Sequence, residues 1–264
     1  MKKLAMATML CLAAGAAQAA LQPGDLAFTA FNADEDGFAV VALRDLPQFQ
    51  AIYFTDNEWS GGAPGTGQFN TGENTFVWVT GAHTIAAGTV VRFSQIDKAA
   101  RSASIGAFAL FQSGAPGFSA SGDTLFAFTG DGSGVPDRLL AAVSSENYAG
   151  SSLADSGLQA GVHAVIVGAG ADFAEYAGAR TGLPSFADYR TTINDGSAWQ
   201  SYATGDFATT IPNLGSFAVA PVPEPSSYAL LAAGLGMIGW RLRRRAHQRA
   251  PKPLPAWVPT AAGG

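Results

Sequence analysis

Between Gly24 and Val219 the chain breaks into short apolar runs separated by clusters of Gly, Asn, Asp and Ser. Runs of this length, rich in Phe, Val and Ile and bounded by turn residues, read as β-strands. The pattern predicts strands at Asp25–Phe31, Phe38–Leu43, Ala51–Thr55, Thr75–Val79, Thr89–Ser94, Ile105–Phe111, Asp123–Phe128, Arg138–Val143, Val162–Val167 and Ser216–Val219. Asp36-Gly37, Gly61-Gly62, Ala87-Gly88, Gly130-Asp131-Gly132 and Asn194-Asp195-Gly196 supply the turns. One short helix is predicted over Asp172–Gly178, with Asp172 near its start. Strand after strand without long intervening helices predicts an all-β protein, an antiparallel immunoglobulin-like sandwich, as a single body over 20–219.

The two ends follow a different pattern. Lys2 and Lys3 precede an apolar stretch from Leu4 to Ala17, and Ala17-Gln18-Ala19 is a small-x-small cleavage site. Residues 1–19 therefore read as a secretory signal peptide handled by the Sec machinery. At the other end Pro221, Pro223 and Pro225 fix an extended backbone. An uncharged run from Ser226 to Trp240 follows, then Arg241, Arg243, Arg244 and Arg245. At about 1.5 Å per residue, 226–242 spans about 25 Å, close to a hydrocarbon core of about 30 Å. It is expected to form a transmembrane helix, with the arginines as a membrane stop on the cytoplasmic side. The Pro-rich stretch 246–264 reads as a disordered cytoplasmic tail.

Charge and cysteine narrow the function classes. The only cysteine is Cys11, inside the predicted signal peptide, so the body has no disulfide, thiolate nucleophile or Cys-ligated zinc. Between residues 20 and 219 there are 19 acidic and seven basic residues, a balance of −12. Nucleic-acid binding depends on cations facing phosphates, so nucleic acid is excluded as a partner. Acidic polysaccharide would need bridging divalent cations.

Candidate chemistry is sparse. Asp34-Glu35-Asp36, Asp56, Glu58 and Glu73 offer carboxylates that could divide acid and base roles in glycoside hydrolysis; the competing expectation, a solvated acidic turn, fits Asp36-Gly37. Asp131, Ser133 and Asp137 alternate oxygen donors as a loose calcium site would. An EF-hand is excluded because its twelfth position is Ala142 rather than Glu. Trp59 and Trp199 sit beside Gly/Ser-rich loops where they could stack on sugar rings, whereas Trp78 belongs in the core. Val162–Gly170 mimics a dinucleotide loop but has Phe173 where the third glycine belongs. His83 and His163 have no motif partner, and no nucleophile elbow or zinc-protease motif occurs.

Val222-Pro223-Glu224-Pro225, the apolar run and the arginine cluster together resemble a PEP-CTERM sorting segment over 220–245. The resemblance implies an exosortase-like transpeptidase as partner, cleavage near Pro-Glu-Pro, transient residence at the periplasmic face of the inner membrane, and delivery to the cell surface or extracellular matrix among exopolysaccharide. More loosely, Gly24–Asn32, Ile52–Trp59 and Ser121–Phe128 resemble exported domains similar to lamin-tail domains, which implies an immunoglobulin-like sandwich. Together these readings predict an exported, non-catalytic structural or interaction protein of the extracellular polymer, without a cofactor. A secreted carboxylate hydrolase using calcium and a sugar-binding module are the competing classes.

Overall fold

The computed structural model describes residues 20–63, 66–119, 121–131, 134–146, 153, 155–221 and 227–248. Two compact units are present, one ending at Ala220 and one beginning at Pro221.

The first unit is built on two six-stranded sheets. Its strands are β1 (Leu26–Asn32), β2 (Gly37–Ala42), β3 (Ala51–Thr55), β4 (Thr75–Val79), β5 (Val90–Ser94), β6 (Ser102–Ala103), β7 (Ala107–Gln112), β8 (Thr124–Thr129), β9 (Arg138–Ser144), β10 (Ala164–Ile166), β11 (Phe173–Tyr176) and β12 (Trp199–Tyr202). One sheet runs β12-β11-β1-β2-β5-β6 and the other β10-β9-β8-β3-β4-β7. The predicted strands from β1 to β5 and from β7 to β9 are present within a residue or two. The wholly antiparallel expectation needs correction, because β10 pairs parallel to β9, Val165 opposite Val143.

The sheets bury a shared core of aromatic side chains. Phe28, Phe38 and Phe93 of the first sheet meet Phe54 and Trp78 of the second, with Phe38 stacked on Phe93 at 4.5 Å and Trp78 edge-on to Phe93 at 5.3 Å. Trp78 is fully buried, as expected, and its indole N–H donates to the Ile105 carbonyl at 2.8 Å, which satisfies the one polar atom it takes from water. A second apolar cluster, including Tyr53, Trp59, Phe69, Phe126 and Phe128, packs beside Leu153 and Leu158 from the β9–β10 connection. Two loops, β3–β4 and β9–β10, thus contribute to packing on the second sheet.

Two further expectations are corrected. Asp172–Gly178 is not a helix: Phe173–Tyr176 is a strand held between β1 and β12. Ser216–Val219 makes only a single bridge, Ala218 to Thr181. The helix lies later, α1 (Phe186–Ile193), where Ser185 accepts from the Asp188 N–H at its start and Tyr189 and Ile193 are buried one turn apart.

The second unit contains α2 (Ser227–Gln248). The helix expected over 226–242 therefore exists but continues through the arginines. Its uncharged part, 227–240, rises only about 21 Å. Among the described residues no helix is long and apolar enough to cross a membrane.

Candidate functional site

Three connections bring carboxylates together at one end of the sandwich. The first leaves β3 through Asp56, Asn57 and Glu58 and returns through Glu73 and Asn74 to β4. Its two limbs are tied together. The Asn57 amide donates to Thr55 Oγ1 at 2.8 Å and to the Glu73 carbonyl at 3.0 Å, and Asn57 Oδ1 accepts from the Glu73 N–H at 3.1 Å. Asn74 Oδ1 accepts from the Gly114 N–H, binding this loop to the β7–β8 connection. That connection ends at Asp123, whose carboxylate accepts from the Ser119 and Thr124 N–H groups at 3.1 and 2.8 Å. The Asp123 N–H donates to Ser145 Oγ at the start of the β9–β10 connection.

The electrostatics are one-sided. Asp56 is 3 % exposed and its Oδ1 has no hydrogen-bond partner. Burial first, then the neighbouring Asp123 and Glu73 charges, push its carboxyl up to about 8. Glu73 is pushed up to about 7 by burial, Asp123 and Glu58. Asp123 is raised to about 6 by burial, against which its two N–H donors work. No cation figures among the causes of these three shifts. The arrangement keeps these carboxyls protonated closer to neutral pH than free carboxyls would be.

The Asp34-Glu35-Asp36 run is structural rather than a solvated turn. Glu35 is buried and ion-paired with Arg92, Asp34 accepts from the Phe207 N–H at 2.7 Å, and Asp36 accepts from the Phe118 N–H at 2.6 Å. Burial raises the Asp36 carboxyl. Asp123, the partner that both raised neighbours share, had no signal in the sequence beyond lying at a strand start.

The tryptophans expected to meet sugar are turned inward. Trp59 is 6 % exposed, edge-on to Phe69 at 5.1 Å, and Trp199 is 8 % exposed with its indole N–H donating to the Ile193 carbonyl at 2.7 Å. Neither presents a ring face to a ligand, which corrects that expectation. Asp131 and Asp137 are exposed in the β8–β9 turn; Ser133 lies outside the described residues. Among the described residues no three His, Cys, Asp or Glu side chains are grouped to hold a metal ion. His163 is held below its ordinary value by burial and by Arg190. A cleft of about 480 Å³ between Ile166 and Asn194 and one of about 340 Å³ beside His83 both lie away from Asp56, Glu73 and Asp123.

The C-terminal segment carries the other candidate chemistry. Arg241, Arg243 and Arg244 are exposed on α2, and the Arg244 guanidinium lies 4.2 Å from the Trp240 ring centre, one turn away. Arg245 is in the same helix. Val222, Pro223, Glu224 and Pro225, like Ala17 and Ala19 at the other end, lie outside the described residues. Residues 221–245 match the PEP-CTERM protein-sorting motif. The PEP-CTERM segment marks an exported protein sorted by exosortase to the cell envelope or surface. No curated protein and no solved structure matches the chain.

Proposed function

We propose that this protein is a non-catalytic structural or interaction component of the extracellular polymer. Its sandwich, of the lamin-tail-like kind, is released from the inner membrane's periplasmic face when an exosortase-type transpeptidase cuts near Pro223-Glu224-Pro225. The observation that carries this reading is the PEP-CTERM motif at 221–245. Support comes from the body, where Trp59 and Trp199 are packed inside and the clefts are lined away from the raised carboxyls. The test is cell fractionation with mass spectrometry of the mature C-terminus, comparing wild type with Glu224→Ala. Wild type is expected in the surface or medium fraction with a new terminus near the motif, and the variant is expected to stay uncut. Identical termini and identical location for both would overturn the reading.

A second reading, a secreted carboxylate hydrolase, is favoured by one observation, the raised carboxyls of Asp56, Glu73 and Asp123, with the Asp123 charge acting on the other two. It requires release of reducing ends from exopolysaccharide by wild type and loss of that release in Asp123→Asn. Equal release by both proteins, or none by either, removes it.

A further inference from the structure

The four edge strands of the two sheets are unequal. β6 has two residues, β10 three and β12 four, whereas β7 has six. Short edges give little purchase to another chain; a long one presents a row of backbone donors and acceptors. Soluble proteins blunt long edges with lysine, proline or an inward charge. β7 reads Ala-Phe-Ala-Leu-Phe-Gln and has none of these. Its one irregularity is a register shift at Phe111, between Leu110 opposite Phe76 and Gln112 opposite Thr75, so the regular ladder runs from Ala107 to Leu110. Its β4 side is paired from Ala107 opposite Val79 to Leu110 opposite Phe76, and among the described residues β7 ends the strand order on the other side.

The face that reaches this edge is uncharged as well. Phe108 and Leu110 turn toward the core. Ala107, Ala109 and Phe111 alternate with them and are exposed, Phe111 by 46 %. Beside them Val77, Val79 and Ala51 are only partly covered, and Tyr53 meets Phe111 edge-on at 5.1 Å. In a body with a −12 balance, a three-strand surface free of charge is conspicuous.

We propose that β7 pairs with β7 of a second copy of this chain, antiparallel about a two-fold axis at Ala109, joining the two β10-to-β7 sheets into one. Facing residues of antiparallel strands must point to the same side of the sheet, so only residues of matching parity can oppose one another. Centring on Ala109 sets Ala107 against Phe111 twice and Ala109 against itself on the outer face, so each large ring meets a small residue. On the core face it sets Phe108 against Leu110. No charged pair arises, so the edge is compatible with its own copy, and the isologous contact closes at two chains. A six-residue edge falls short of the roughly 800 Å² per partner of a standard interface. Pairing is therefore weak and concentration-dependent, with Kd on the order of 10–100 µM.

The test is sedimentation of the full chain in mild detergent across that range, with three variants checked for fold by circular dichroism. Wild type is expected to show a monomer–dimer equilibrium, which Ala109→Lys weakens at least about tenfold by placing two like charges face to face. Under mild oxidation Ala109→Cys is expected to form a disulfide-linked dimer, since facing residues fall within disulfide reach. Thr209→Cys, an exposed site away from β7 that retains the same Cys11, is the control. A wild type monomeric throughout, a dimer that a folded Ala109→Lys leaves unchanged, or Ala109→Cys cross-linking no faster than the control would each overturn the proposal. If Ala109→Lys does not fold, wild-type sedimentation and the cysteine pair decide the matter.

Discussion

At Asp56 a carboxyl group sits where water does not reach, with Asp123 and Glu73 nearby. The sign of the pH dependence follows. In the unfolded chain Asp56 loses its proton near 3.8, while in the folded protein it keeps it to about 8. Between those values the folded state binds more protons, so stability falls as pH rises and levels off above about 8. Glu73 and Asp123, raised to about 7 and about 6, act in the same direction over narrower windows. Urea unfolding at a series of pH values should show the steepest loss between about 4.5 and 6, where all three contribute. Asp56→Asn keeps the shape and removes the charge. It should flatten that slope and raise stability at pH 8 by on the order of a few kcal/mol; an unchanged slope would show that the buried carboxyl is not linked to folding. None of this could be read along the chain. Asp56, Glu73 and Asp123 stand apart in sequence; the pairing of β3 with β4 and with β8 brings them to one end of the sheet, where the Asn57 hydrogen bonds tie the limbs of the β3–β4 loop together.

Among the elements, legibility followed the strength of the local pattern. β1 to β5 and β7 to β9 alternate or run apolar between clear turns, so their positions could be read directly. β11 looked helical because Asp172 resembles a cap, yet Phe-Ala-Glu-Tyr is held by strands on both sides. α1 is eight residues long with an apolar spacing of one turn, too little for periodicity to register, although Ser185 and Asp188 were a usable start signal. Removing that signal in Ser185→Ala should cost about 1 kcal/mol by chemical denaturation. In the strand core, Trp78→Ala should cost roughly 3–5 kcal/mol, and Trp78→Phe less. If the two are indistinguishable from wild type, the sheets do not close around Trp78. Trp59 and Trp199 were misplaced because Gly/Ser-rich neighbours indicate a loop, and a loop can still fold its ring inward.

For the molecule as a whole, the −12 body sets what it can touch at long range. Purified protein should pass unretained through an immobilised acidic polysaccharide at low salt without divalent ions; retention there would contradict the charge argument. The address at 221–245 was plain in the sequence because rigid prolines, an apolar run and arginines occur in order, whereas among the described residues no helix is long and apolar enough to be the crossing helix expected from it. All seven residues of β1 are buried, it pairs with β11, and the Asn32 side chain at its end is held by the Phe207 carbonyl, 175 positions later. In any delivery of the chain amino end first, β1 emerges long before the stretch that completes its burial, so its edge and faces stay open to other chains until the residues around Phe207 have followed.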